Sequence, residues 1–518
     1  MRENSWKLPV ASGVLVVLGH YTSLLVPNFV SFLPMLWWLD THRERPIPDL
    51  LRGGVLFGLT TYGIGLHWIY AMLSISWLAS LMYLGLLVLF TSGAALALTL
   101  VGWSRRWTLW SFGLLLPACW VPLEWSRTWG DLRMTADHAG HGLSRFPFLI
   151  QFADVVGPYG VGVFLLAFQG LLYEVVASWR SKRGKRAGAL LVLLAAAILG
   201  YDAWKWKHPP QAARTLRVAL VQPNIPLVLK HDPAEDSRQE RILAELTRIA
   251  ARERPDLIIW PESARPRLIE HWLDDPASFA MPEVQRLALE TKTSILAGAE
   301  YARIRTREEY EIYNAALVVH PDGRLDPTWT AKVYLVPFTE GVPFRFLLGP
   351  LLDGLGGELH WLSGGFTPGP AATLRAAGVT LGVLVCYEEL YFDLSRALRN
   401  AGADLQVVIT NDAWFGRTVF QDLLADAVRM RAIETRSSFV RVANTGISGF
   451  VDPTGRYHGR TGLYVPAVEV RDMPIVDAPT IYTRVGDVAA WLAILGLVVA
   501  VWAARRSQRR AEDAPHHR

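Results

Sequence analysis

The first two hundred residues are dominated by long apolar runs, and regular alternation appears only after them. Apolar segments at about 8–25, 26–39, 54–75, 77–102, 108–125, 149–177 and 187–203 suggest membrane helices, and one more follows at 487–504. Between Gly53 and Trp103 there is no Asp, Glu, Lys or Arg, enough chain for two spans of roughly 20 residues each. The second segment is short and carries Pro27 and Pro34, but the loops require it. Basic clusters lie in 40-DTHRERPIPDLLR, 104-SRRW, 178-SWRSKRGKRAG and the tail 505-RRSQRR. With Arg2 and Lys7 inside, seven spans before the polar region put all of these clusters on the inner face, as the bias of basic residues predicts. The polar region, about 205–485, then lies on the outer face. The segment 1-MRENSWKLPVASGVLVVLGHYTSLLV has the charged start and apolar middle of a signal peptide. Further apolar segments follow at once without a small-residue cleavage site, so it is read as a retained span.

Within 205–485 the pattern changes to short β-rich runs, 216-LRVALVQPNI, 256-DLIIWPES, 293-TSILAGAEY, 379-VTLGVLVCYE and 404-DLQVVITNDAWF. These alternate with helical stretches such as 235-EDSRQERILAELTRIAARE, which predicts an α/β domain. A hairpin is expected at 313-YNAALVVHPDGRL, turning at Pro321, Asp322 and Gly323. The chain therefore divides into a membrane domain with seven helices (1–204), an outer α/β domain (205–485), and a final helix with a basic tail (486–518).

Composition agrees with this division. A hydrophobic fraction of 51% with only 19% charged residues and 21 tryptophans is not that of a soluble globular protein. The net charge of +5 raises the question of nucleic acid, but the basic residues cluster beside apolar runs, so no nucleic-acid partner is expected.

Three stretches leave an apolar strand and arrive at an ionisable group: 259-IWPESARPR with Glu262, 331-AKVYLVPFTEGVP with Lys332 and Glu340, and 384-LVCYEEL with Cys386. Strand ends in α/β sheets are where catalytic groups collect. A thiol is mostly protonated at neutral pH and needs a base or a nearby cation to become a nucleophile. Glu262 can take its proton. Lys332 can stabilise the thiolate and a developing oxyanion, together with the backbone N–H after Cys386. Of the two cysteines, Cys119 falls inside a predicted span and reads as a packed thiol. Only Cys386 lies in the outer domain, where it can form no internal disulfide. A cysteine ending an apolar strand is more often a small buried hydrophobe; the order Glu262, Lys332, Cys386 weighs against that reading.

The motifs WPES, K-x-x-L-V-P-F-x-E, C-Y-E-E and NDAWFG resemble the nitrilase, or carbon–nitrogen hydrolase, superfamily. With seven spans before and one after, the chain is similar to its membrane-embedded branch, the apolipoprotein N-acyltransferases. The likeness extends to 54-GVLFGLTTYGIGLHWIY, 221-VQPNIP, 429-RMRAIETRSSFVRVANTGIS and 482-YTRVGD. It implies a polytopic α-helical membrane bundle of about eight spans carrying an α-β-β-α sandwich. In that sandwich Glu262 is general base, Lys332 oxyanion stabiliser and Cys386 nucleophile, with Glu340, Tyr387 and Glu388 as further site residues. The implied reaction is ping-pong. Cys386 takes an acyl chain from the sn-1 position of a membrane phospholipid, and the α-amino group of an S-diacylglyceryl-cysteine lipoprotein then receives it. The resemblance implies no cofactor, a monomer, a bacterial inner-membrane location, a periplasmic catalytic domain and cytoplasmic termini.

The chain departs from the family pattern at His231, where Trp is usual after the lysine of 224-NIPLVLKHDP, at Thr339 in place of Gly, and at Asp422 in place of His. His231 is a candidate substrate contact and Trp414 a candidate pocket wall. Glu340 can serve either proton transfer or an ion pair that positions Lys332. Glu389 reads as a supporting or solvated carboxylate. His20 and His67, inside spans, read as packing or hydrogen-bonding residues, since no further metal ligands accompany them. Two other functions compete. A membrane-tethered amidase would use the same triad and end with water, but a tether needs one span. A non-enzymatic lipid-binding scaffold would not be expected to retain Glu262, Lys332 and Cys386 together.

Overall fold

The computed structural model describes residues 6–74, 78–230, 232–337, 339–341, 343, 344, 346 and 365–513. Helices occupy all eight apolar segments. They are α1 (Lys7–Tyr21), the pair α2 (Leu25–Val30) and α3 (Leu33–Thr41), α4 (Ile47–Gly65), α5 (Leu78–Thr108), α6 (Phe112–Ser126), α7 (Ala153–Ser178) and α8 (Lys182–Lys207), with a last helix, Val488–Glu512, after the polar region. Among the described residues, five helical stretches are long and apolar enough to cross a bilayer by themselves: Ile47–Leu73, Ala79–Thr108, Ala153–Ser178, Lys182–Lys207 and Val488–Glu512. The others are shorter. The second predicted segment is split in two, and each half carries one of its prolines at an early position, where the missing N–H is tolerated. Helix α6 has 15 residues and contains Pro117 and Pro122.

The polar region is a four-layer sandwich. The parallel centre of one sheet is β1 (Arg214–Gln222), β2 (Leu257–Ile259) and β4 (Ser294–Ile304), with β3 (Arg265–Trp272) also paired to β4 and with β5 (Tyr310–Val319) and β6 (Leu325–Ala331) added antiparallel. The parallel centre of the second sheet is β8 (Val379–Val385), β9 (Leu405–Thr410) and β10 (Ser438–Ala443), flanked by β7 (Thr373–Ala376) on one side and by β11 (Gly449–Val451) and β12 (Tyr457–His458) on the other. A last strand, β13 (Ala467–Ile475), returns to the first sheet, whose order is β13-β1-β2-β4-β5-β6. The two-residue period places Val218, Leu220, Leu257 and Ile259 in one core with Val383, Val385, Val407 and Val440. The intervening residues Ala219, Val221 and Ile258 face the other way, against Leu243, Val284 and Leu287 of the helices Asp236–Ala251 and Pro282–Thr291. The expected hairpin joins β5 to β6, and Gly323, at φ +79°, makes its turn.

Candidate active site

Four strand ends converge on one place. Glu262 follows β2, Lys332 follows β6, Cys386 follows β8 and Asn411 follows β9. Each strand is held by its sheet, so each side chain enters the site from a rigid support. The peptide before Glu262 lies directly on β4: a Cβ on Gly298 would come within 2.3 Å of the Pro261 oxygen and 2.8 Å of the Glu262 Cα. Only glycine allows that approach. Cys386 leaves its strand at φ +60°, an uncommon conformation for a residue with a Cβ. The turn Cys386–Leu390 that follows is fully buried.

Glu262 is buried and uses both carboxylate oxygens. Oε1 accepts Asn314 Nδ2 at 2.7 Å and Oε2 accepts the Asn411 N–H at 2.7 Å. Lys332 Nζ lies 3.8 Å from Oε1. A carboxylate has about four lone-pair sites, so Glu262 keeps capacity for another proton. The Lys332 ammonium sits 2.8 Å from Glu340 Oε1, and Glu340 Oε2 accepts the Val336 N–H at 2.9 Å. Of the two expectations for Glu340, proton transfer or an ion pair with Lys332, the contact present is the ion pair. Burial opposes the charge on Lys332, but Glu340, Cys386 and Glu262 outweigh it and raise its pKa above the ordinary lysine value. Burial, reinforced by Glu262 and only partly offset by Lys332, pushes the Cys386 thiol well above its usual range. The raised value favours the neutral thiol over the thiolate.

The residues after Cys386 frame the site. Glu388 Oε1 accepts the N–H groups of Val333 (2.7 Å) and Tyr334 (2.9 Å), and Oε2 accepts the Val385 N–H (2.8 Å). One carboxylate thereby joins the backbone beside Lys332 to the backbone beside Cys386. Burial raises its pKa to about 7 against those bonds. The Tyr387 hydroxyl donates to the Leu335 oxygen at 2.8 Å, and its ring lies 5.0 Å from Lys332 Nζ.

Of the two places expected for Glu389, supporting or solvated, the structure gives the supporting one. It is fully buried and takes two bonds from Arg441, 2.8 Å and 2.7 Å, while Arg441 also reaches Asp412 at 2.9 Å. A buried charge requires such partners, and none of the three is adjacent to another in sequence. Sequence reasoning also missed Asn314 and Lys230, whose Nζ donates to the Glu262 carbonyl oxygen at 3.0 Å. Of these, a polar Asn314 inside an apolar strand was a signal that could have been used.

All of this opens into a cavity of about 850 Å³ lined by Glu262, Lys332, Glu340, Cys386, Tyr387 and Trp414. Thr339 lines it too, whereas Asp422 pairs with Arg460 at the surface. His231 lies outside the described residues. On the far side the wall is apolar: Leu81, Gly85, Val88 and Leu89 of α5, with Trp68 and Met72. Leu81 and Val88 are themselves more than half exposed, on a helix long and apolar enough to cross a bilayer. Among the described residues, no group of three or more His, Cys, Asp or Glu is arranged to hold a metal ion.

The sequence model of the carbon-nitrogen hydrolases matches residues 217–470, and that of the apolipoprotein N-acyltransferase N-terminal domain matches residues 12–171. The apolipoprotein N-acyltransferase of Geobacter metallireducens is 32% identical over 519 residues, covering 97% of this chain and 96% of its own. The chain belongs to the apolipoprotein N-acyltransferase family. The same-named protein of Allorhizobium ampelinum is 31% identical, with 91% of this chain and 90% of its own covered. Among solved structures, an amidase from Nesterenkonia sp. is 18% identical over 54% of this chain and 95% of its own, with a TM-score of 0.35. The chain joins two matched regions, a helical one and a hydrolase-like one, and the cavity wall draws on both.

Proposed function

We propose that this protein moves a fatty acyl chain from a membrane phospholipid to the α-amino group of S-diacylglyceryl-cysteine at a lipoprotein N-terminus. The observation that carries this reading is the cavity. It connects a buried thiol, carboxylate and ammonium to an apolar wall on a helix suited to the bilayer, so acyl tails can lie along α5 while the ester reaches Cys386.

In the first half-reaction the Cys386 sulfur attacks the sn-1 ester carbonyl as Glu262 takes the thiol proton. Lys332 and the backbone N–H after Cys386 stabilise the tetrahedral oxyanion. The ester C–O bond breaks, the departing lysophospholipid alkoxide regains the proton from Glu262, and a thioester remains. In the second half-reaction the lipoprotein amine attacks that thioester as Glu262 accepts its proton. The C–S bond breaks, the thiol is restored and an amide is formed. Burial of Cys386 keeps water from the thioester between the two steps. Glu340 orients Lys332, Tyr387 and Glu388 fix the backbone, and Trp414 and His231 contact substrate. The other function, an amidase, gains nothing from an apolar wall reaching the lipid-facing side of α5.

The same reading takes all eight helical segments as spans, with 1–204 and 486–518 in and beside the inner membrane. The catalytic domain, 205–485, is periplasmic, both termini are cytoplasmic, and the protein acts as a monomer. The basic clusters at the helix ends support this orientation. The test is mass spectrometry of lipoprotein N-terminal peptides from cells with and without the protein. Loss of the third acyl chain in its absence is expected, and persistence of that chain would count against the reading.

A further inference from the structure

Among the described residues, three cationic side chains line the catalytic cavity: Lys332, Lys230 and Arg133. Two of them are engaged by the reacting groups. Lys332 is paired with Glu340 and Glu262, and Lys230 is turned onto the Glu262 carbonyl oxygen. Arg133 is different. Its Nε donates to the Gly130 oxygen at 3.1 Å and its guanidinium carbon lies 3.7 Å above the Tyr334 ring, contacts that orient the group without neutralising it. Among the described residues, Asp131 and Asp393 each direct one carboxylate oxygen to another partner. Asp131 Oδ2 accepts the Phe344 N–H at 2.7 Å, and Asp393 Oδ2 accepts the Tyr334 hydroxyl at 2.7 Å.

Arg133 is also held at a fixed position relative to the nucleophile. It lies on the loop that leaves α6, and that loop is tied to the turn beginning at Cys386. The Tyr391 hydroxyl donates to the Arg133 oxygen at 2.8 Å, and Thr135 Oγ1 donates to the Leu390 oxygen at 2.9 Å. The flanking Leu132 and Met134 line the cavity as well. The cavity therefore offers an apolar wall, a nucleophile and a half-buried guanidinium. A phospholipid carries a matching set of groups: an acyl chain, its ester, and a phosphodiester anion a few bonds from that ester.

The geometry points to Arg133 as the residue that binds the phosphodiester of the acyl donor, an inference that rests on the acyl-transfer reading above. The guanidinium fork matches two phosphate oxygens, which a lysine ammonium does not, and stacking on Tyr334 orients it before the lipid arrives.

The test compares Arg133→Gln and Arg133→Lys with the unsubstituted full-length protein in detergent micelles, following formation of the Cys386 acyl-enzyme from two donors. One is a diacyl phospholipid. The other is a long-chain p-nitrophenyl ester, which has an acyl chain and a reactive ester but no phosphate. With the phospholipid, Arg133→Gln is expected to slow acylation at limiting donor roughly ten- to hundredfold, the size of a lost charge-assisted contact, and Arg133→Lys should recover part of it. With the p-nitrophenyl ester all three proteins should agree within about twofold, and so should their rates of discharge to a diacylglyceryl peptide. An equal loss with both donors would make Arg133 a structural residue and overturn the inference, as would no loss with the phospholipid. Failure of the unsubstituted protein to form an acyl-enzyme from either donor would overturn the acyl-transfer reading itself.

Discussion

Replacing Glu388 by glutamine tests whether one carboxylate holds the two halves of the site in register. Its oxygens accept three backbone N–H groups, at 2.7 Å from Val333, 2.9 Å from Tyr334 and 2.8 Å from Val385, the first two half-buried and the last buried. Alanine would leave all three unpaired, at about 1–3 kcal/mol for the buried Val385 donor and less for each of the other two. A cost of that size is a large share of the stability of a domain, about 5–15 kcal/mol. Glutamine is the milder change: its oxygen can still serve Val333 and Tyr334, while its NH2 group faces the Val385 N–H, donor against donor. One lost bond should cost about 1–3 kcal/mol and lower Tm by about 2–4 °C for each kcal/mol. Activity should fall further than stability does. Val333 and Val385 adjoin Lys332 and Cys386, and displacement of reacting groups by ~1 Å costs ~100-fold in rate. The assay is single-turnover formation of the acyl-enzyme at saturating phospholipid, with Tm measured on the same preparation. Glu388→Gln with an unchanged acylation rate would refute the reasoning, whatever its Tm.

The raised Cys386 pKa makes iodoacetamide labelling climb about tenfold per pH unit from 7 to 9, since the reactive thiolate is a minor form throughout; a plateau within that range would contradict it. Arg441→Met leaves Glu389 and Asp412 buried without their partner and should destabilise the outer domain by about 3–5 kcal/mol, read by denaturant unfolding, where a change below ~1 kcal/mol would refute the pairing. Among the described residues, no neighbouring atom lies within 4 Å of a Cβ built on Gly85, so Gly85→Trp should be accommodated and narrow the lipid side of the cavity. It should slow acylation by a long-chain phospholipid about tenfold, equivalent to roughly 1.4 kcal/mol, and leave a short-chain p-nitrophenyl ester unaffected; equal slowing of both would argue against access along α5.

What could be read from the sequence follows from how local each signal is. The strands leading to Glu262, Cys386 and Asn411 are apolar runs that stop at a polar residue, so both the strand and the residue it delivers were legible. The strand Arg265–Trp272 was not, because Pro266 and three charged positions obscure its alternation. Ser438–Ala443 was not assigned as a strand either. It is buried throughout with Arg441 at its centre, and that burial is possible only because Glu389, 52 residues away, and Asp412, 29 residues away, supply the countercharge. The same limit applies at the site. Glu262, Lys332 and Cys386 were found from their own surroundings, whereas Asn314, Lys230 and the Asn411 N–H act on Glu262 through the fold. The membrane segments were legible from apolar length, but the break between Val30 and Leu33 and the left-handed Gly157 within Ala153–Ser178 were not.

Whether Cys386 carries the acyl chain between two lipid substrates is tested most directly by intact-protein mass spectrometry after incubation with a diacyl phospholipid. A mass increment of one acyl group on Cys386 is expected, lost on adding a diacylglyceryl peptide, which gains the same mass, and absent from Cys386→Ala. Persistence of the increment in Cys386→Ala, or steady release of free fatty acid with no adduct and no need for an amine, would contradict that role.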